Sequence, residues 1–121
     1  SRTNSNILPE TAIALSKECP NITTVKEASG DISKVVEYQS KSDLDILSGD
    51  DGINFPILAS GGKGVISVTS NLLPKKIADL VHFANSGNLE ASKKINEELW
   101  EINKILFIES NPIPIKYAMH I

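Results

Sequence analysis

Residues 22–48 read ITTVKEASGDISKVVEYQSKSDLDILS, and the order of elements in this stretch predicts the class of fold. Ile22–Ala28 is rich in Ile, Thr and Val, a composition that favours a β-strand. The turn Ser29-Gly30-Asp31 follows, and Asp31 is a candidate N-cap for the helical pattern after it. Asp45–Ser48 then predicts a second strand. A strand, a helix and another strand in this order are typical of a βαβ unit with parallel strands.

The same alternation continues on both sides of this unit. Pro9-Glu10-Thr11 suits the first turn of a helix, because Pro is pre-set for it and Glu favours the positive end of the dipole. Ile53–Ala59 predicts a short helix, and Val65–Thr69 predicts a third strand. Pro74 begins another helix, and apolar residues at helical spacing from Leu89 to Leu106 predict a longer one. Strands recur roughly every 20 residues, so we predict an α/β fold with a parallel sheet.

Length and composition fit one compact globular unit. The chain has 121 residues, 40% of them apolar, and 12 Lys+Arg against 15 Asp+Glu give a net charge of −3. Disorder is therefore excluded, and the mild acidity argues against a nucleic-acid surface. No apolar run approaches the roughly 18–20 residues of a membrane helix. Cys19 is the only cysteine, so no internal disulfide forms, which favours a reducing compartment such as the cytoplasm.

Both ends of the sequence have the character of an interior segment. The chain starts with Ser1-Arg2-Thr3, without Met or the basic-then-apolar pattern of a signal peptide. It stops at Ile121 without a helix-ending Gly or Pro. We therefore expect the chain to be an excerpt of a longer protein.

Lys26 is the candidate catalytic residue. It follows an uncharged run, 22–25, within the first predicted strand, and strands of a parallel sheet are usually buried on both faces. A lysine that loses hydration has a lowered pKa, and the neutral amine that results is what Schiff-base chemistry requires. The alternative is a lysine at a strand end whose ammonium lies in solvent or pairs with Glu27.

Two further motifs allow a structural and a functional interpretation. Gly49-Asp50-Asp51 follows the second predicted strand, where acidic residues often line a site in α/β folds. It also suits a turn with an N-cap for the next helix, which we slightly favour. Gly61-Gly62-Lys63-Gly64 precedes a strand and lacks the Lys-Ser/Thr ending of a phosphate loop, so it favours a tight turn. His82 and His120 do not have metal-ligand spacing, and we predict no metal site.

Together these stretches resemble the dihydrodipicolinate synthase family. The resemblance covers essentially the whole chain and rests on six stretches in matching order: Ser1-Arg2-Thr3, Leu8-Pro9-Glu10-Thr11, Val25–Asp31, Leu47–Asp51, Gly61–Asn71 and Asn111–Lys116. The lysine strand alone also fits the wider superfamily of class I aldolases, which includes N-acetylneuraminate lyase. The Ser-Gly-Asp-Asp and Asn-Pro-Ile-Pro-Ile-Lys stretches favour the synthase.

The resemblance implies a particular place in a larger fold. The family folds as a (β/α)8 TIM barrel followed by a small helical domain. The three predicted strands correspond to barrel strands six, seven and eight, so the chain is expected to be the C-terminal part of the barrel. Residues 1–87 would then be a partial barrel, and residues 88–121 would start the helical domain.

The resemblance also implies a reaction and four site residues. Family members condense pyruvate with aspartate semialdehyde on the route to lysine, without a metal or an organic cofactor. Lys26 matches the lysine that forms the imine with pyruvate, and Arg2 matches the arginine that receives the carboxylate of the semialdehyde. Ile66 matches the residue whose backbone carbonyl faces pyruvate, and Gly49 lies beside that pocket.

The first five strands of the family are missing from this sequence, and the proton-relay residues they carry are missing too. Activity is therefore expected to require the N-terminal half as a partner, in a homo-oligomer, either a tetramer or a dimer. One alternative is another pyruvate-dependent aldolase, such as N-acetylneuraminate lyase. An alternative of another class is a non-catalytic half-barrel that binds a partner or itself, because open strand edges invite pairing.

Overall fold

The structure, a computed structural model, describes residues 5–121. Within that range it contains three strands and seven helices that alternate in the predicted way. The strands are β1 (Thr24–Glu27), β2 (Asp45–Ser48) and β3 (Gly64–Val65). The helices are α1 (Pro9–Glu18), α2 (Ile32–Lys41), α3 (Asn54–Ala59), α4 (Pro74–Asn85), α5 (Leu89–Glu98), α6 (Trp100–Ile105) and α7 (Ile113–Ala118). Single 3-10 turns lie at Asp51–Ile53 and Thr69–Asn71.

The sheet is parallel throughout, in the order β1-β2-β3, which confirms the prediction from the βαβ pattern. In β1 and β2, Val25 is paired with Ile46, and Lys26 is paired with Leu47. Residues paired in this way share a face of the sheet, because side chains alternate along each strand.

The third strand is shorter than the sequence predicts. We expected Val65–Thr69, but the strand ends at Val65, and Thr69 already begins a 3-10 turn. The physical reason is a competing hydrogen-bond partner. The backbone N–H groups of Val68 and Thr69 donate to the carboxylate of Asp51, 2.7 and 3.0 Å away, instead of continuing a strand ladder.

Helices cover one face of the sheet. A first apolar core joins α1, α2 and α3 to that face, and its buried members are Ala12, Ile13, Val35, Tyr38, Leu44, Ile46 and Ile57. A second core joins α3 to the later helices, and its buried members are Leu58, Ile77, Leu80 and Leu99. Both cores therefore lie on the helical side of the sheet and leave its other face open.

The later helices pack closely on one another. Gly87, with φ of +82°, follows α4 at the position predicted to end that helix. The hydroxyl of Ser92 in α5 donates to the carbonyl of Leu80 in α4, 2.8 Å away. The long helix predicted from Leu89 to Leu106 is interrupted at Leu99, whose side chain is 1% exposed. Within residues 5–121, no helix has both the length and the apolar character needed to cross a lipid bilayer.

The predicted N-cap of α2 is confirmed. The backbone N–H and the hydroxyl of Ser33 donate to Oδ1 of Asp31, at 2.9 and 2.6 Å. These two hydrogen bonds, the side-chain one first, hold the pKa of Asp31 below its ordinary value. The carboxylate therefore stabilises the folded chain above its ordinary pKa, and this contribution is lost as the pH falls through the lowered pKa.

We expect Asp31→Ala to lower the melting temperature at neutral pH, because the N-cap is lost. The difference from the wild type should shrink as the pH falls through the lowered pKa of Asp31, because the carboxylate of the wild type then becomes protonated. Melting curves followed by circular dichroism at several pH values measure both effects. Asp31→Ser keeps a capping oxygen without a titrating charge and serves as the control. An unchanged difference at low pH would show that the carboxylate charge contributes nothing to the cap.

Candidate functional site

The carboxyl ends of the strands open into a broad cleft of about 1480 Å³. Parallel strands direct their carboxyl ends to one edge of the sheet, where α/β folds place their ligand sites. Lys26, Gly49 and Ile66, each predicted as a site residue, all line this cleft. The structure therefore brings these three residues together. Arg2, the fourth predicted site residue, lies outside the described residues.

Lys26 is exposed, which corrects the expectation that its strand is buried on both faces. The reason is the alternation along β1. Lys26 and its register partner Leu47 share the face of the sheet that no helix covers, whereas Val25 and Ile46 belong to the first core. Among residues 5–121, the ammonium group of Lys26 has neither a hydrogen-bond nor an ion-pair partner. No described side chain is therefore bound to this group, which is accessible from the cleft.

Glu27 does not pair with Lys26, because the two side chains project from opposite faces of β1. Glu27 is 5% exposed, and its Oε1 accepts a hydrogen bond from the backbone N–H of Ser29 at 2.6 Å. Its negative charge acts on Tyr38, on the side of the sheet that the helices cover. Burial, and after it the negative charge of Glu27, raises the pKa of the Tyr38 hydroxyl. Of the two environments that the sequence left open for a non-catalytic Lys26, only the solvent-exposed one remains.

Gly49 lies directly under the side chain of Lys26. Its backbone N–H donates to the carbonyl of Glu27, 2.7 Å away, which extends the β1–β2 ladder by one residue. A Cβ atom on Gly49 would lie 2.5 Å from Cε and 2.9 Å from Cγ of Lys26, and 2.8 Å from Cβ of Ala28. Real Cβ contacts are not this short. The missing side chain therefore makes the space in which Lys26 extends along the cleft.

Ile66 forms the part of the cleft that follows β3. Its backbone N–H donates to the carbonyl of Ser48, 2.7 Å away, and its side chain is 47% exposed. Ser67 and Val68, the next two residues, also line the cleft. The chain between β3 and the second 3-10 turn is therefore a wall of the same space that Lys26 enters.

The two aspartates after β2 have different surroundings. Asp50 lines the cleft, and its Oδ1 accepts a hydrogen bond from the backbone N–H of Gly52 at 2.9 Å, which caps the first 3-10 turn. The turn is therefore confirmed, but Asp50 caps the 3-10 turn Asp51–Ile53, and the predicted helix after it, α3, has no side-chain cap. Asp51 is 2% exposed. Besides Val68 and Thr69, the amide of Asn54 donates to Asp51, with 2.9 Å between Nδ2 and Oδ1.

Asn103 extends this arrangement to α6. Its Nδ2 donates to the backbone carbonyl of Asp51 at 2.9 Å, and its Oδ1 accepts from the hydroxyl of Thr69 at 2.7 Å. Asn103 is 5% exposed and Thr69 is fully buried. Sequence reasoning missed both residues, because a lone Asn and a lone Thr in separate elements carry no local signal. The nearest hint was Asp51 itself, an acidic residue directly after a strand.

The glycine-rich stretch 61–64 is a turn into β3, as predicted, and not a phosphate loop. Gly61 has a φ of +101°, and its backbone N–H donates to the carbonyl of Leu58, 2.9 Å away. Lys63 directly precedes β3, and its backbone N–H donates to the carbonyl of Ile46, 2.8 Å away, so it lies one position before Gly64, which is level with Lys26 in the register. In the part of the chain that the structure describes, no three His, Cys, Asp or Glu side chains are grouped to hold a metal ion.

Comparison with known proteins agrees with this geometry. The model of the dihydrodipicolinate synthetase family matches residues 1–121. A 4-hydroxy-tetrahydrodipicolinate synthase of Campylobacter hominis is 55% identical over 121 residues, which are 99% of this chain and 41% of the relative. The crystal structure of dihydrodipicolinate synthase from Aquifex aeolicus superposes with a TM-score of 0.92 at 36% identity, over 95% of this chain and 40% of that one.

A third comparison concerns a monomeric dihydrodipicolinate synthase variant, which superposes with a TM-score of 0.89 at 40% identity, over 98% of this chain and 41% of that one. The chain thus spans about two fifths of the length of the relatives it matches. The family model nevertheless covers every residue of the chain, including those around the cleft. The chain therefore belongs to the dihydrodipicolinate synthetase family.

Proposed function

We propose that the protein to which this chain belongs is a 4-hydroxy-tetrahydrodipicolinate synthase, a lyase of lysine biosynthesis that acts in the cytoplasm. It condenses pyruvate with aspartate 4-semialdehyde. The observation that carries this proposal is the amine of Lys26, which has no partner among residues 5–121 and extends over Gly49 at the carboxyl end of a parallel sheet. The family membership and the names of the relatives support it.

The proposed chemistry needs only side-chain and backbone groups. The neutral amine of Lys26 adds to the ketone carbon of pyruvate and expels water, which leaves an imine. The imine withdraws electrons, so the pyruvate methyl group loses a proton and becomes an enamine. The enamine carbon then attacks the aldehyde carbon of the semialdehyde. The backbone carbonyl of Ile66 faces pyruvate, and Gly49 leaves room for the lysine.

In this proposal the chain is the C-terminal part of a TIM barrel, with β1, β2 and β3 as strands six, seven and eight. Residues 1–87 belong to the barrel, and residues 88–121 begin the helical domain. A barrel of this type closes with eight strands, and the chain supplies three of them. The span of about two fifths of the relatives supports the chain being one part of such a barrel.

The N-terminal half of the barrel is the proposed partner of the open sheet face. In the complete barrel that face would line the interior, and Lys26 would lose much of its exposure. Acid and base groups typically contribute about 10²–10⁴-fold to a rate, and the family's relay residues belong to that other half. The chain alone should therefore turn over poorly. We further propose that the protein is a homo-oligomer, a dimer or a tetramer. Light scattering of the full-length protein distinguishes these states from a monomer, the state of one related variant.

Two other functions make different predictions in the same assay. Another pyruvate-dependent aldolase, such as N-acetylneuraminate lyase, would form the same lysine adduct but would use a different aldehyde. A non-catalytic half-barrel would form no adduct, even when the rest of the barrel is present. The position of Lys26 over Gly49 at the carboxyl ends of the strands, together with the family match, supports an imine-forming enzyme over the half-barrel.

The test is to trap the pyruvate imine with borohydride and to map it by mass spectrometry. It is done in the full-length protein, meaning these 121 residues together with the rest of the barrel. The reduced adduct should be found on Lys26. Lys116 lines the same cleft, whereas Lys63, directly before β3, is not among the residues that line it, so both are internal controls. An adduct mainly on either control, or none at all, would refute the proposal.

Arg2→Ala should impair use of the semialdehyde more than imine formation. Arg2 is proposed to hold the carboxylate of this second substrate, and losing a charge-assisted contact of that kind costs about 1.5–3 kcal/mol. The loss should be visible in kcat/KM for the semialdehyde, while borohydride trapping of pyruvate remains near that of the wild type. Equal losses in both measurements would contradict this division of roles.

A further inference from the structure

Outside the proposed pyruvate site, a buried polar cluster of hydrogen-bonded residues is centred on Asp51. We call Asp51, Asn54, Val68, Thr69 and Asn103 the Asp51 network. The carboxylate accepts three hydrogen bonds, from the side chain of Asn54 and from the backbone N–H groups of Val68 and Thr69. The backbone carbonyl of Asp51 accepts a fourth, from Asn103.

The network links three separate parts of the fold. Asp51 follows β2, Thr69 follows β3, and Asn103 lies in α6. The hydroxyl of Thr69 donates to Asn103 and closes the cycle, with 2.7 Å between the two oxygens. Each of these three side chains is at most 5% exposed. The network thus holds the carboxyl ends of two strands at fixed positions against a helix.

Burying a carboxylate costs free energy that burying an apolar side chain does not, so packing alone does not account for Asp51. Removing its charge from water carries a large desolvation penalty, and well-packed apolar residues often stabilise a fold as well or better. What the carboxylate does that an apolar group cannot is to bind two consecutive backbone N–H groups. Those groups belong to Val68 and Thr69, directly after Ile66 and Ser67, which line the cleft beside Val68.

We propose that Asp51 is a positioning residue for pyruvate. It fixes the path of 66–68, so that this segment lies at the correct distance from Lys26, and Thr69 and Asn103 keep the Asp51 carboxylate and backbone in place. The inference rests on the proposed function, because that function makes pyruvate the molecule that lies beside the segment 66–68. Asp51 itself does not touch the substrate.

Asp51→Asn tests the inference in the full-length protein. The amide keeps the shape of the side chain, but its NH2 group cannot accept a hydrogen bond. Some of the hydrogen bonds that Val68 and Thr69 donate to Asp51 are therefore lost. We expect the KM for pyruvate to rise at least tenfold, while the KM for the semialdehyde changes less than threefold. A purely structural role would lower the melting temperature and the amount of active enzyme and leave the KM for pyruvate unchanged.

A matched pair at Thr69 provides a second test that leaves the carboxylate intact. Thr69→Val removes the hydroxyl that donates to Asn103 and keeps the branched shape, whereas Thr69→Ser keeps the hydroxyl. We expect Thr69→Val to raise the KM for pyruvate at least threefold and Thr69→Ser to stay within twofold of the wild type. If Asp51→Asn does not fold, this pair decides the question.

The outcomes separate the inference from the function on which it rests. If the wild type traps pyruvate on Lys26 but folded Asp51→Asn keeps the wild-type KM for pyruvate, the positioning role is wrong and the proposed function stands. The same conclusion follows if the Val and Ser variants at Thr69 behave alike. If the wild type traps no pyruvate, the proposed function and the positioning role both fail.

Discussion

Lys26→Arg is expected to abolish both the pyruvate adduct and turnover in the full-length protein. Arginine keeps the positive charge and much of the length of the side chain. Its guanidinium stays protonated, however, and provides no amine that can add to a ketone. Covalent catalysis through an imine therefore has no nucleophile in this variant. Borohydride trapping, peptide mapping and a coupled turnover assay measure the two losses separately.

The matched control for this variant is Lys116→Arg. Lys116 lines the same cleft, so the change of residue type and the retained charge are the same, but no covalent role is assigned to it. The adduct on Lys26 should persist in Lys116→Arg. The 121 residues alone should react far less than the full-length protein, because Lys26 is exposed on the open face. Near-normal turnover of Lys26→Arg would disprove the Schiff-base assignment.

Gly49→Ala is expected to reduce the rate of imine formation by about a hundredfold or more. The new Cβ would overlap Cε and Cγ of Lys26 and Cβ of Ala28, at 2.5, 2.9 and 2.8 Å. The flexible end of Lys26 can move away, whereas Ala28 is fixed to the backbone, so the lysine is displaced most. A displacement of about 1 Å of a reacting group can cost on the order of 10²-fold. Single-turnover trapping at saturating pyruvate measures this rate directly.

Gly64→Ala is the control for a general effect of adding a methyl group to the sheet. A Cβ on Gly64 would meet only Cδ2 of Leu47 at 3.2 Å, the far end of a flexible side chain. Gly64 lies in β3, which pairs with β2, the strand that Gly49 follows. The rate of imine formation should therefore change much less in Gly64→Ala. Equal losses in the two variants would indicate that the sheet, and not the space around Lys26, is disturbed.

The parts of the fold that sequence predicted well have local causes. β2 was predicted at its observed bounds, and Asp31 was predicted as the cap of α2, because composition and turn residues act within a few positions. β3 was predicted too long, because Val68 and Thr69 donate to a carboxylate 17 and 18 positions earlier in the chain. No pattern within the stretch 65–69 shows that competition.

The candidate site was also predicted only in part from the sequence. Lys26, Gly49 and Ile66 were predicted to lie together, and they do, because parallel strand ends share one edge of the sheet. The exposure of Lys26 in this chain differs from the burial expected of a parallel strand, since strand composition does not show which face the helices leave open. Thr69 and Asn103 are separated by 34 positions, and their contact arises from the tertiary fold alone.

The alternation along β1 limits how this region can change in evolution or by design. Two adjacent residues of opposite charge are sorted to opposite sides of the sheet, with Lys26 in the cleft and Glu27 beneath the helices. Inserting or deleting one residue within the strand would exchange them. The amine would then be enclosed among apolar side chains, and a carboxylate would enter the cleft in its place. The length of β1 is therefore fixed by the alternation of these two side chains.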